Sequence, residues 1–229
     1  MRIFVMKLTP SLRAGWTHLL AGVALSFAAL AACPLASAAP AELDQGIHAL
    51  QTDWATIQYQ TPADQRAGRF ETLSQQAHAL TARYAGSAEP HIWEGIILSS
   101  WANAKGGMGA LSLAKQARAE YESAIQIDRK ALGGSALSSL GVLYYKVPGW
   151  PVGFGDNKKA EGLLQEALAI NPNGIDTNYF YADYLVYRNR KPEAVPYLEK
   201  ALNAAPRPGR ESADAGRRAE AKALLDSIR

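Results

Sequence analysis

After residue 38, the side chains of this sequence best suited to chemistry are three histidines and a pair of carboxylates. His48, His78 and His91 are the types of residue that bind zinc, but none stands in a His-Glu-x-x-His arrangement and none lies beside a cysteine. Asp176 and Asp183 could serve acid–base catalysis, although charged residues in such a setting more often serve binding or solubility. These residues therefore favour no catalytic reaction, and we expect neither a metal nor another cofactor.

Two glycine-rich segments and the serines were compared with the sequence patterns of phosphate sites and hydrolases. Residues 106–109 and 149–155 do not spell Gly-x4-Gly-Lys-Ser/Thr, and neither follows a predicted strand. No serine stands in a Gly-x-Ser-x-Gly sequence, the usual setting of a hydrolase nucleophile. Both glycine segments are predicted to form turns, and the chain is predicted not to be an enzyme.

The composition indicates one globular domain and excludes a polyanion-binding protein. The 229 residues are 48% apolar and 20% charged, with a formal net charge of +3. Arg2, Lys7 and Arg13 lie in residues 1–38, which contain no acid; without these three, 21 of the 24 basic residues remain against 21 acidic residues. Because the rest of the chain is neutral, nucleic acid is not expected as a partner.

Residues 1–38 have the order of a secretory signal. The basic residues precede an uncharged run over residues 19–32, which is too short to span a membrane. We therefore expect export to the periplasm of a Gram-negative bacterium.

The sequence offers two cleavage sites. Residues 30–33 resemble a lipobox, so cleavage before Cys33 would leave a lipid anchor as the one link to a membrane. Residues 36–38 resemble an ordinary small-x-small site, and cleavage after Ala38 would release a soluble protein without cysteine. Pro34 directly after the cysteine favours release, but both outcomes stay open.

The central part of the sequence repeats with a period of 34 residues. A pattern of alanines and leucines that begins at Ala160 and closes at Pro172 returns 34 residues later, from Ala194 to Pro206. This period and pattern are typical of the second helix of a tetratricopeptide repeat, and residues 137–144 match its first helix. The sequence predicts an all-α tetratricopeptide-like solenoid of about nine helices.

The organisation follows from where the repeat pattern starts and stops. An earlier, looser copy opens at Trp93, so we place the repeats in residues 90–206. Apolar residues at steps of three and four predict a helical pair over residues 39–89. One narrow apolar stripe over residues 219–228 predicts that residues 207–229 form a capping helix with a polar outer face.

A loop inserted into one repeat is more specific than the repeat itself. Residues 147–156 are about seven residues longer than the equivalent turn of the last repeat, and Asp156 is predicted to cap the next helix. The insertion carries Trp150 and Phe154, positioned by two prolines, Pro148 and Pro151. These four residues are a candidate contact site, in which the aromatic side chains either cover a groove or point outward to a partner.

Several segments resemble the T-component family of tripartite ATP-independent periplasmic (TRAP) transporters. They are residues 141–160 with their Lys-Val-Pro-Gly-Trp-Pro sequence, residues 174–181, and residues 207–217 with Arg207-Pro208-Gly209-Arg210. The resemblance covers residues 90–229 and implies a periplasmic, often lipid-anchored tetratricopeptide-like protein. It further implies self-association, contact with a transporter's solute-binding subunit, and a small apolar ligand.

The first helices of such repeats present fixed positions to the concave face of the solenoid. Counting from Gly141 and Ala182 as position eight, and placing Trp93 at position four, gives a mixed aromatic and polar groove. The predicted groove residues are His91, Glu94, Leu98, Trp101, Ser138, Val142, Tyr145, Lys146, Tyr179, Asp183 and Tyr187. Each tyrosine could instead be a half-buried packing residue.

Two functions remain open at this point. The first is a non-catalytic adaptor that presents the groove to a periplasmic protein. The second is a carrier whose stacked helices enclose a small apolar molecule among Leu98, Trp101, Val142 and Tyr145.

Overall fold

The structure is a computed structural model that describes residues 38–229, without the side chains of residues 38–40 and 108. Cys33 and nearly all of the predicted signal segment lie outside the described residues. None of the helices in the described part is long and apolar enough to cross a membrane.

Nine α-helices form the described chain, which confirms the prediction of an all-α solenoid. In chain order they are α1 Ala38–Gln60, α2 Ala63–Arg83, α3 Ala88–Lys105, α4 Gly107–Ile127, α5 Ala131–Lys146, α6 Asn157–Ile170, α7 Ile175–Tyr187, α8 Lys191–Leu202 and α9 Glu211–Ile228. The odd-numbered helices α1, α3, α5 and α7 contact one another in sequence and form the inner layer. Each even-numbered helix packs on the odd-numbered helices before and after it, as successive repeats of a solenoid do.

The alanines of the repeated sequence pattern are buried where neighbouring helices pack together. Ala160 and Ala167 of α6, and Ala194 and Ala201 of α8, are 0% exposed. A methyl side chain at these positions lets helix axes approach closely, and larger neighbours such as Leu164 fill the remaining space. The 34-residue period therefore reflects the same two buried alanines on each of these helices.

Glycine performs the same task on two inner helices. A Cβ on Gly141 of α5 would lie 2.8 Å from Leu164 of α6, and a Cβ on Gly95 of α3 would lie 2.5 Å from the Tyr121 ring of α4. Both distances are shorter than normal van der Waals contact, so any side chain there would force the two helices apart.

Helix α9 does more than cap the last repeat. It packs on α7 and α8 and also reaches α1, at the opposite end of the inner layer. Gly216 allows the approach, because a Cβ there would lie 2.4 Å from the ring of Tyr59 on α1. Gln60 Nε2 adds a hydrogen bond of 2.9 Å to Ser212 Oγ. The inner layer is therefore bridged from its last helix back to its first.

Candidate functional site

The inner helices enclose a cavity of about 410 Å³, within the range of about 300–1,000 Å³ typical of small-molecule sites. We call it the inner cavity. Its wall comes from α1, α3, α5, α7 and α9, with the turns before α7 and α9 and one side chain of α4. Because α9 contacts α1, the concave face of this solenoid forms a partly enclosed chamber instead of an open channel.

The apolar part of the wall is largely aromatic. Trp54 and Trp93 meet edge to face with their ring centroids 6.0 Å apart, and both line the inner cavity. Ile96, Val142 and Phe180 contribute further apolar surface from α3, α5 and α7. This wall suits a flat or branched apolar group.

Serine and tyrosine side chains form a polar strip on α3, α4 and α5. Trp54 Nε1 donates a hydrogen bond of 2.8 Å to Ser100 Oγ, which in turn donates to the Ile96 carbonyl. Ser99 Oγ and the Tyr121 hydroxyl lie 3.1 Å apart, and burial raises the pKa of Tyr121 well above its ordinary value. Tyr121 therefore stays a neutral hydrogen-bonding group at any physiological pH.

Asp176 anchors one end of the inner cavity. Its Oδ1 accepts from Arg217 Nε at 2.8 Å and its Oδ2 accepts from Arg207 Nη1 at 2.7 Å. Burial by itself would raise the pKa of Asp176, but the charges of Arg217 and Arg207 outweigh it and lower the pKa to about 2. The carboxylate is ionised and joins α7 to α9 and to the turn before α9.

Both arginines have a second acidic partner. Arg207 also pairs with the buried Asp214, and Arg217 also pairs with Glu220. The Arg217 guanidinium lies 4.6 Å from the ring centroids of Tyr179 and Phe180. These contacts hold the two guanidinium groups in place.

Arg210 lines the same end of the inner cavity but is bound differently. Its guanidinium lies 4.9 Å from the centre of the Trp93 ring. No ion pair or side-chain hydrogen bond of Arg210 occurs within residues 38–229. Burial, and then the charge of Arg207, lower the pKa of Arg210.

The predicted groove residues do not all share one site. Ser138 and Val142 line the inner cavity. Tyr145, Lys146 and Tyr187 instead line a second cavity of about 300 Å³, beside the inserted loop.

Asp183 and Tyr179 line neither cavity but contact residues that do. Asp183 Oδ2 accepts a hydrogen bond from the Tyr145 hydroxyl at 2.5 Å and forms an ion pair with Lys146 Nζ at 2.8 Å. Tyr179 is half-buried under Arg217. The tyrosines of α5 and α7 thus combine packing with polar contacts.

Four residues predicted on α3 line neither cavity. Leu98 lies in the hydrophobic core, and Trp101 is half-buried beneath Lys105. His91 Nδ1 lies 2.6 Å from Glu120 Oε2 on α4, and Glu94 Oε1 lies 2.9 Å from His78 Nδ1 on α2.

These four residues do not line the inner cavity because the repeat positions of α3 are offset by two residues from the predicted count. Gly95 packs on α4 as Gly141 packs on α6, so Gly95 and not Ile97 is the small residue of position eight. That shift of two residues turns the helix by about 200°. The α3 residues that line the inner cavity are Trp93, Ile96, Ser99, Ser100 and Asn103. In the sequence, Gly95 is the residue from which these cavity-lining positions of α3 could have been counted.

The inserted loop is ordered by its own backbone. The Gly155 amide donates to the Pro148 carbonyl at 2.9 Å, and the Asp156 amide donates to the Tyr144 carbonyl at 2.8 Å. The side chain of Asp156 accepts from the amides of Lys158 and Lys159, which confirms the predicted helix cap.

The two loop aromatics have different surroundings. Phe154 packs edge to face on Tyr144 at 5.8 Å, and Arg118 lies over both rings. Trp150 is 89% exposed. Pro148 lines the second cavity, and Pro151 is exposed beside Trp150. No residue of this loop lines the inner cavity, so the loop does not cover it.

Residues contributed by α1 and by the α8–α9 turn were not predicted for the site. The sequence places Trp54 only within the predicted helical pair of residues 39–89, and Arg207 and Arg210 only within the predicted C-terminal cap. Residues so far apart in sequence share a wall only because α9 returns to α1.

Comparison with known proteins supports the fold alone. The chain is similar to the crystal structure of a thermophilic TPR protein from Thermus thermophilus, with a TM-score of 0.54 and 16% sequence identity over 82% of this chain and 93% of that one. No protein-family model matches the sequence, and no curated protein matches it. The solenoid is therefore tetratricopeptide-like.

Proposed function

We propose that this protein is a non-catalytic carrier that binds a small organic molecule in the inner cavity. The observation that supports this proposal is the contact of α9 with α1, which converts the concave face into a chamber of about 410 Å³. The wall offers apolar surface with a few placed polar groups, the usual make-up of a ligand pocket.

The same closure argues against an extended peptide as the ligand of this face. A peptide in a solenoid groove needs a channel open along its length, whereas α9 and the turn before it lie across this one. An adaptor function would therefore use another surface.

Native mass spectrometry of the full chain, purified without detergent, tests the carrier function. We expect a copurified molecule that is lost in Val142→Trp, because the larger side chain would fill the cavity between α3 and α5. Val152→Trp is the matched control, since Val152 lies on the exposed loop and lines neither cavity. Recovery of the wild-type protein without any bound molecule, even after incubation with periplasmic extract, would contradict the carrier function.

A second candidate function is contact with another protein through the inserted loop. It is favoured by Trp150, a large aromatic side chain left 89% exposed on a loop whose backbone is held by its own hydrogen bonds. In this proposal the protein works in the periplasm, with a TRAP solute-binding subunit as its partner or with further copies of itself. Its link to a membrane would be a lipid on Cys33.

Crosslinking in intact cells tests the second candidate. A photoreactive residue at position 152, beside Trp150, should capture a defined periplasmic protein, and Trp150→Ala should reduce that capture. The same photoreactive residue on exposed Asp226 of α9 is the control. Equal capture from both positions would show that the loop has no specific partner.

A further inference from the structure

At the arginine end of the inner cavity, the Nε of Arg210 is a buried hydrogen-bond donor without an acceptor among the described residues. Both oxygens of Asp176 are already used by Arg207 and Arg217. Arg210, half-buried on the same wall, has no acidic partner in the part of the chain that the structure describes.

A second unpaired donor lies directly beside Arg210. Trp93 is 3% exposed, lines the inner cavity, and its indole Nε1 has no hydrogen-bond acceptor among the described residues. The Arg210 guanidinium is stacked 4.9 Å from the centre of this indole ring. The neighbouring Trp54, by contrast, donates its Nε1–H to Ser100, so the fold satisfies one indole of the pair and leaves the other free.

This arrangement has a physical consequence. Burial and the charge of Arg207 both work against a protonated Arg210, as the lowered pKa of Arg210 reflects. A buried donor without an acceptor is unfavourable, and native proteins rarely leave two adjacent ones unmatched. An anionic oxygen at this point would accept from both groups and balance the charge of Arg210.

Resting on the proposed carrier function, we propose that the ligand is an organic anion with an apolar body. Its carboxylate or similar singly charged oxyanion binds to Arg210 and to the Trp93 indole N–H. Its apolar body lies against Ile96, Val142 and Phe180, which line the rest of the cavity.

A pair of fluorescent probes tests the charge requirement separately from the cavity. 1-Anilinonaphthalene-8-sulfonate is an aromatic anion, and N-phenyl-1-naphthylamine has the same rings without the sulfonate. Each is titrated into the full chain at neutral pH, and the fluorescence of the probe itself reports binding. The part of the binding that is lost in Val142→Trp, whose side chain fills the cavity, is binding in the inner cavity.

The expected result is a loss confined to the anionic probe. Arg210→Gln should weaken sulfonate binding about tenfold or more, the effect of a lost charged hydrogen bond, and change the binding of the neutral probe less than twofold. Arg218→Gln is the matched control, because Arg218 donates to the Ala204 carbonyl and does not line the cavity. Trp93→Phe, which removes the N–H and keeps a ring, should weaken only the sulfonate by severalfold.

Other outcomes separate the two proposals. If both probes bind and Arg210→Gln leaves the sulfonate affinity unchanged, the anion inference is wrong and the carrier function stands. Binding of neither probe to the wild-type chain would overturn both. Circular dichroism and melting curves show that each variant is folded; should Arg210→Gln unfold, Trp93→Phe alone decides the inference.

Discussion

Arg217 Nε donates to Asp176 Oδ1 across 2.8 Å, joining α9 to α7 over 41 positions of sequence. The Arg217 side chain is only 11% exposed, and the Asp176 side chain is 34% exposed. Arg217 directly follows Gly216, the residue of α9 that packs on Tyr59 of α1, so the ion pair helps to hold the helix that closes the inner cavity.

The first prediction concerns this ion pair. Asp176→Asn should lower the free energy of unfolding at pH 7 by about 1–2 kcal/mol, because it leaves two guanidinium groups without their shared partner; the value is reduced for the partial exposure of Asp176. Asp226→Asn is the matched control on an exposed pair and should cost less than about 0.5 kcal/mol. Urea unfolding measures both. Equal losses for the two variants would mean that Asp176 has no special role.

The pH dependence of the same variant is the second prediction. The pKa of Asp176 is lowered from 3.8 to about 2, so its stabilising effect is fully present above pH 3.8 and is lost as the pH falls through 2. The stability difference between the wild type and Asp176→Asn should therefore shrink between about pH 4 and pH 2. Urea midpoints at several pH values measure it; a difference that stays constant over this interval would be inconsistent with the ionised carboxylate.

The third prediction compares two glycines inside helices. Gly216→Ala should lower stability by about 1 kcal/mol, because its Cβ would lie 2.4 Å from the Tyr59 ring and would push α9 from α1. Gly162→Ala on α6 meets nothing within 4 Å and should raise stability by about 0.5–1 kcal/mol through helix propensity alone. Thermal melts give the two signs. A stabilising effect at Gly216 would show that the α1–α9 contact is loose.

The fourth prediction separates the two aromatic residues of the inserted loop. Phe154→Ala should cost about 2 kcal/mol, because the half-buried ring packs on Tyr144 and under Arg118. Trp150→Ala should change stability by less than about 0.5 kcal/mol, since its side chain is 89% exposed. Melting curves of the two variants decide. A large loss for Trp150→Ala would mean that this residue packs in solution and is not a free contact site.

The fifth prediction concerns the residue at which the mature chain begins. We expect the exported protein to begin at Ala39, and mass spectrometry of protein from the natural host checks this. A diacylglyceryl group on Cys33 would establish the anchored form in its place. An intact Met1 would contradict export.

The local pattern of the sequence was sufficient for the solenoid. Each helix pair needs small residues at the same position, because its helices approach one another closely. Alanines therefore recur 34 residues apart, as at Ala160 and Ala194. The helix cap at Asp156 is equally local, because its carboxylate accepts hydrogen bonds from backbone amides two and three residues later. Contacts of this kind can be predicted from the sequence, because their residues are either close together or recur at a fixed spacing.

The residues of the inner cavity could not be predicted in this way, because they contact one another across long distances in the sequence. Arg210 and Trp93 meet across 117 positions because α9 returns to α1, and nothing in the spacing of either segment indicates that return. The concave face of α3 likewise depended on which residue packs on α4, which is Gly95 against Tyr121. Helical periodicity establishes that a helix has a buried stripe, but a helix enclosed by neighbours has several, and only the packing of those neighbours selects the one that faces the cavity.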